Sequence, residues 1–447
     1  MYSLVESREA VNNWLERYGV RFGIYKNGKF KEQLFPFDPI PRVIEPEEWA
    51  YLEKGLAQRV RALNLFLADV YGEKNIIKNN IVPKSFIYAS KGYLPQCEGI
   101  RPPHGVFAHI AGIDLVQARD GSWFVLEDNL RIPSGASYPL IARSISRKVS
   151  PETFAANHIE DNRDYPQLLK HTMDDMNVNG GLNVVFTPGR YNSAFFEHSY
   201  LAERTGAVLA FPGDLLVEDN HVYYQGIFHE KTLVGAIYRR VSDEYLDPMA
   251  FEPDSLLGVP NLMQAYAAGN VAVLNCPGNG VADDKGLYYF VPRMVEYYLG
   301  EKAILQNAPT YLPYYEEDRD YVLANAERLV IKDVSEAGGY GVVFGRDLEH
   351  DRLEKLKDLI RSEPRRWIAQ EVINFKDLET MEDHGVVYRK ADLRAFVLSS
   401  SDGEVVWKSG LTRFARQADS FVVNSSQGGG FKDTWVMRDH QSHLKSL

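Results

Sequence analysis

Apolar positions along the chain change period several times, and each change marks an element. The opening stretch, MYSLVESREAVNNWLERYGV, spaces its apolar residues every three or four positions, which predicts an amphipathic helix. Tyr51–Tyr71 repeats that spacing, and residues 1–90 read as mostly helical. From about 104 to 131 the pattern becomes strand, turn, strand. A polar stretch near 150–180 reads as a linker or a helix with a flexible end. Leu182–Phe186 is a short apolar strand, followed by a turn and a helix ending at Gly206. Ala207–Phe211 and GAIYRRV at 235–241 are further strands, so this region predicts a small parallel βαβ domain. Past residue 290 strand-rich segments flank a helix over Asp347–Ser362. The class is α/β (α+β).

Within this pattern, GIDLVQARDGSWFVLEDNLRIPSG (112–135) carries the most chemistry. Asp120-Gly121 is a hairpin dipeptide, because both central positions of such a turn take positive φ. A two-residue loop there puts 119 opposite 122 and 118 opposite 123, which sets Asp114 opposite Glu127. Asn129 then shares the face of Glu127. Like charges directly opposed destabilise a sheet, and a divalent cation removes the repulsion. Asp, Glu and an amide oxygen suit magnesium, which takes one or two carboxylates plus phosphate oxygens.

A second segment, RLVIKDVSEAGGYGVVFGR (328–346), places Lys332 on an apolar strand before Gly338, Gly339 and Gly341, with another strand at once after. A Rossmann or Walker loop would open a helix, and Walker A would need G-K-[ST]. A protein-kinase loop would place its lysine after the glycines. A glycine hairpin preceded by a lysine suits a flap over a triphosphate, since bare backbone N–H groups approach oxygens closely. Trp367–Ile373 is a short strand able to present backbone groups to an adenine edge. Thr187-Pro188-Gly189, after the first central strand, lacks the G-x-G-x-x-G dinucleotide fingerprint.

Composition narrows the setting. A net charge of −11 over 447 residues argues against coating nucleic acid. Only Cys97 and Cys276 are present, which excludes a disulfide framework and a thiolate zinc cluster. No stretch approaches the ~20 apolar residues of a membrane span, and the N-terminus has no signal-peptide pattern. A cytoplasmic protein is expected, with the oligomeric state open and a homo-oligomer included. His104, His109 and His198 have no metal-site spacing.

In this order the pieces resemble ATP-grasp enzymes, specifically the circularly permuted group that includes glutathionylspermidine synthase. Asp284-Lys285 resembles the first nucleotide lysine of that fold and Lys332 the second. Gln370-Glu371-Val372 resembles the adenine hinge, and Asp114, Glu127 and Asn129 resemble the metal triad. The triad stands at the N-terminal end here and at the C-terminal end in unpermuted ligases, a rearrangement tolerated when old termini lie close together. LEDNLRIPSGASY, TPGRYNSAFFEH, YRRVSDEYLDP and GNGVADDK resemble the bacterial branch of the permuted family.

The resemblance implies a circularly permuted ATP-grasp fold with an inserted Rossmann-like pre-ATP-grasp domain. Residues 1–170 would hold N-terminal helices and the metal-binding part, 171–290 the substrate domain, and 291–447 the glycine flap and hinge. It implies ATP and one or two Mg2+, and a ligase joining a small-molecule or short-peptide carboxylate to an amine through an acyl phosphate. Ligases of this type often carry an arginine two residues before the metal Asp, where Gly112 stands. Arg131 and Arg394 are the candidate replacements, with backbone N–H groups around Ser134-Gly135 as oxyanion donors. Arg239 and Arg240 are candidates for an acidic substrate, of which at most one can face a given site. Asn279–Gly286 is a candidate phosphate turn. No Cys–His amidase domain accompanies these motifs. Two other readings share the motifs: a catalytically idle nucleotide-binding subunit of a peptide-modifying complex, and an ATP-grasp phosphotransferase.

Overall fold

The computed structural model describes residues 4–26, 29–334, 341–382, 384–417 and 429–439. The helix Leu4–Arg17 opens the chain, but the next residues depart from the helical expectation. β1 (Arg21–Lys26) and β2 (Lys29–Leu34) form an antiparallel hairpin, and β3 (Phe37–Ile44) enters the largest sheet. The sequence holds the signal: Asn27-Gly28 separates the two runs, a hairpin dipeptide that overrides the helical spacing on either side. The helix Pro46–Val70 then follows as its spacing predicts, with Trp49, Leu52, Leu56, Val60, Leu63 and Leu67 in one buried stripe.

β4 (Ile110–Gln117) and β5 (Trp123–Asn129) make the carboxylate hairpin. Helices Ser137–Val149 and Tyr165–Met176 come next. The second buries Leu169, Met173 and Met176, so over these residues the polar stretch at 150–180 takes the helical of its two expected forms, as a core helix. Its apolar residues lie three and four apart, and burial of that one stripe outweighs the polar composition.

The central region is built as the alternation predicts. β6 (Leu182–Phe186), β7 (Val208–Ala210), β10 (Lys231–Arg239) and β11 (Ala272–Leu274) are parallel, with the helix Phe195–Thr205 between the first two. A hairpin of β8 (Leu215–Glu218) and β9 (His221–Gln225) extends the sheet antiparallel to β10.

The last third contributes to two sheets. β12 (Gln306–Asn307) pairs with β5, and β13 (Thr310–Tyr311) opens a four-stranded antiparallel sheet with β14 (Leu329–Asp333), β15 (Val342–Phe344) and β16 (Trp367–Glu371). The step Ala308-Pro309 therefore joins the large sheet to the small one. Helices Glu316–Asn325 and His350–Ser362 cover the small sheet around a core of its own. β17 (Asp377–Glu382), β18 (Gly385–Ser400), β19 (Gly403–Phe414) and β20 (Gly430–Val436) return to the large sheet, whose order is β12-β5-β4-β18-β19-β20-β3 with β17 beside β18. Strand alternation sends Ile113, Leu115, Val125, Leu393 and Val397 toward the helix Pro46–Val70. Phe396, Leu398, Leu411 and Phe431 point the other way, toward Ser137–Val149, Tyr165–Met176 and the central domain.

One ion pair fixes the long helix on the hairpin. Arg59 donates to both Asp128 oxygens at 2.6 Å and to Asn307 Oδ1 at 2.9 Å. Both charges are buried. Replacing Arg59 with Met leaves Asp128 as an uncompensated buried carboxylate, with an expected loss of about 3–5 kcal/mol. It is read as a lower urea midpoint at unchanged slope. A loss below about 1 kcal/mol would show that the pair does not hold the helix in place.

Candidate active site: a cleft beside a carboxylate hairpin

The hairpin reaches its expected pairing by an unexpected route. Ala118 N–H donates to Ser122 O at 2.8 Å and Gly121 N–H to Ala118 O at 3.0 Å, so the loop is three residues long, with Gly121 at φ 91°. Pairing near the turn is accordingly shifted by one: Gln117 faces Trp123 and Leu115 faces Val125. A β-bulge at Leu126 takes up the extra residue, after which Asp114 faces Glu127 and Gly112 faces Asn129. The two offsets cancel. Asn129 donates its amide N–H to Gly112 O at 3.1 Å, which leaves the side-chain oxygen as the atom for a cation.

Asp114 is held from the opposite strand. Arg394, its register partner on β18, donates to both carboxylate oxygens at 2.7 and 2.8 Å. Arg413 on β19 adds a bond at 2.9 Å and also grips Asp392. Burial alone would raise the Asp114 carboxyl; the two guanidiniums outweigh it and hold the group below the usual carboxylate range. A Cβ on Gly112 would stand 2.8 Å from Pro133 Cβ and 3.4 Å from Arg394 Cδ. An arginine at 112 therefore has no room, and Arg394 brings the guanidinium from the neighbouring strand. Arg413 and Asp392 were not read from the sequence: they face each other across β18 and β19, a pairing that no local pattern marks.

Beside the hairpin lies a cleft between β5, the short helix Lys285–Tyr288 and the small sheet. Its polar wall is Glu127, Asp283, Lys285 and Lys332; Tyr288 and Ile368 are on its apolar wall. Asp284 caps the Lys285 turn, accepting from Gly286 N–H at 2.8 Å and Leu287 N–H at 3.2 Å. Burial pushes the Lys332 ammonium down to about 8; Glu127 opposes this and Lys285 adds to it. Asp283 accepts from Leu130 N–H and, at 2.9 Å, from Arg131 Nε, so it ties the end of the hairpin to the lysine turn. Burial pushes its carboxyl up to about 6, and Arg131 opposes that rise.

The remaining candidates fall elsewhere. Arg131 and Ser134 are not among the described residues that line the cleft, and neither are Asp114, Asn129 and Arg394. Ser134 O accepts from Arg394 at 3.1 Å. Gln370 is buried and donates to Thr310 Oγ1 at 3.0 Å, while Glu371 accepts from Tyr311 and Tyr321 hydroxyls at 3.1 and 2.7 Å. Val372 follows directly after β16. Gly338 and Gly339 lie outside the described residues; Gly341, at φ 72°, leads into β15. Arg239 is committed to Asn275 O, Val241 O, Cys276 O and Asp243, a structural role. His198 pairs with Thr187 Oγ1 at 2.8 Å. Among the described residues no three His, Cys, Asp or Glu side chains group as a metal cluster, and no helix is long and apolar enough to cross a membrane.

The donor set nonetheless fits magnesium: two opposed carboxylates and an amide oxygen share one hairpin face, and Glu127 opens onto a cleft with two lysines. Comparison with known proteins identifies the family. The chain is 45% identical over 438 residues to an uncharacterized protein of Synechocystis sp., covering 97% of this chain and 91% of that one. An uncharacterized protein of Mycobacterium tuberculosis is 42% identical over 417 residues, 92% of this chain and 75% of that one. A Frankia alni protein provisionally named a glutamate–cysteine ligase is 41% identical over 426 residues, and the chain spans about half its length (94% and 49% covered). A glutathione synthetase-like effector from Globodera pallida, in its apo form, shares the fold at a TM-score of 0.62 and 12% identity, covering 97% of both chains. Residues 41–415 match the family described as circularly permuted ATP-grasp type 2, and the chain belongs to that family.

Proposed function

We propose that this protein is an ATP- and Mg2+-dependent ligase that joins a carboxylate to an amine through an acyl phosphate. The observation that carries the reading is the cleft, which gathers Glu127, Lys285 and Lys332 from three remote segments beside the Asp114–Arg394 pair. Lys285 and Lys332 place two positive charges where a polyphosphate would lie. Asp114, Glu127 and Asn129 would hold magnesium, which when bound neutralises charge on the phosphate oxygens. A substrate carboxylate oxygen attacks the γ-phosphorus, the bond to the β-phosphate oxygen breaks, and ADP leaves. The amine nitrogen then attacks the acyl carbon, and the carbon–oxygen bond breaks to release phosphate. Arg131 and Arg394 are the candidate guanidiniums for the acyl group; each already holds a carboxylate, Asp283 and Asp114 respectively, at the edge of the hairpin. The acyl phosphate would have to be shielded from water, which would otherwise hydrolyse it. The name of the Frankia relative describes a carboxylate–amine joining and supports the same class of reaction.

Melting of the purified protein with ATP, with Mg2+ and with both tests the site first. A ligand at 100 times its Kd adds about 2.7 kcal/mol, so a rise of at least about 1–2 °C that needs both together is expected; no shift with any nucleotide sinks the reading.

Glu127→Ala should abolish ADP release while leaving the melting temperature within about 2 °C, since the side chain is half-exposed at the cleft wall. Retained turnover would remove Glu127 from the metal set.

Lys332 must be charged to hold a phosphate, and in the free protein it loses its proton near pH 8. Nucleotide affinity is therefore expected to be flat below pH 8 and to fall above it, by up to about tenfold per pH unit, with proton uptake on binding. Calorimetry in two buffers of different ionisation enthalpy reads that uptake; affinity unchanged to pH 9.5 (about 1.5 units above) would place Lys332 away from the phosphates.

A further inference from the structure

The loop that follows the hairpin, Pro133–Ser137, is held almost wholly by the central domain. Glu197, in the first turn of the helix Phe195–Thr205, accepts Gly135 N–H on both oxygens at 2.9 Å, Ser137 N–H at 3.0 Å and Ser137 Oγ–H at 2.7 Å. These donors stand at the start of the helix Ser137–Val149, so the carboxylate also meets the positive end of a helix dipole. Arg240, at the end of β10, donates to Pro133 O at 2.9 Å, to Tyr238 Oη at 2.7 Å and to Ser134 Oγ. Its guanidinium is 3.9 Å from Glu197, and both side chains are buried. Gly135 sits at φ 119°, where a Cβ would meet Leu411 Cδ2 at 2.6 Å, so the loop has one tight path.

That path ends at the metal hairpin. Ser134 O is the second anchor of Arg394, whose other two nitrogens hold Asp114. We propose that Glu197 and Arg240 are positioning residues: through the Ser134 loop they fix Arg394, and through Arg394 they fix the carboxylate of Asp114 that would take magnesium. The metal site of the ATP-grasp unit is thereby assembled on the central domain, which gives Arg240 a use other than binding an acidic substrate. The proposal rests on the reading of Asp114 as a magnesium ligand.

The test is ATP binding by the full-length protein, measured by calorimetry with and without Mg2+, in Glu197→Gln, Arg240→Lys and Arg240→Met. Metal-free ATP binding should stay within about twofold of the parent, because the lysines are untouched. The Mg2+ concentration for half-maximal tightening should rise about tenfold in Arg240→Met and Glu197→Gln, as for other residues that orient a metal ligand. Arg240→Lys, which keeps the charge but not the fork of donors, should fall between. A uniformly loosened fold would weaken both measurements together. Should Arg240→Met fail to fold, Glu197→Gln keeps the side-chain shape and carries the comparison. A folded Glu197→Gln or Arg240→Met with unchanged Mg2+ dependence overturns the proposal alone. A parent protein with no Mg2+-dependent nucleotide binding overturns the functional reading, and the proposal with it.

Discussion

Two carboxylates, Asp114 and Glu127, oppose each other across one hairpin, and the surrounding structure is arranged to tolerate them. Like charges at that separation repel, and burial of Asp114 makes the repulsion costlier. The sheet answers with cations from the adjacent strands: Arg394 across from Asp114, and Arg413 shared between Asp114 and Asp392. On the reverse face the neighbouring Asp128 is neutralised by Arg59 of the long helix. Asp114 and Asp128 thus each recruit a base from a segment remote in sequence, which is how the hairpin organises the sheet around it.

Glu127 is handled differently, because its side chain opens on the cleft wall instead of into the sheet. There it shares space with two lysines, one on the large-sheet side and one on the small sheet. The small sheet is joined to the large one at Ala308-Pro309, between the short pairings of Gln306–Asn307 and Thr310–Tyr311. Tyr288 braces the joint, donating to Val125 O and accepting from Ala308 N–H at 2.9 Å. The depressed Lys332 reflects first the burial of its ammonium, to which Lys285 adds and which Glu127 opposes; an anionic ligand would offset that cost.

More than half of the chain separates the hairpin from β18, which pairs with it, and the central domain and the small sheet fill that interval. The parallel strands of the central domain end beside the Pro133–Ser137 loop, where ligands of open α/β sheets ordinarily bind. Here that position is used to hold the loop through Glu197 and Arg240. The domain is therefore continuous with the hairpin in its hydrogen bonding, and Arg239 secures its far side to the Asn275–Cys276 turn.

Local periodicity determined the helix Pro46–Val70 and the parallel central strands, because spacing along one segment carries each of these. It also brought out a family resemblance, since the order of motifs is itself linear information. Only the tertiary structure decided which side chains meet. Asp120-Gly121 predicts a two-residue turn, yet the loop has three residues and a bulge at Leu126 restores the pairing; bulge placement depends on what packs on the sheet, and no local signal marks it. Asn27-Gly28 is a local hairpin signal, and it prevails over the helical spacing around it. Arg413, Asp283 and Glu197 carried no readable mark, because a buried charge is defined by a partner distant in sequence. Arg131 and Arg394 looked equivalent along the chain, and strand pairing separated them: one is taken by Asp283, the other lies opposite Asp114.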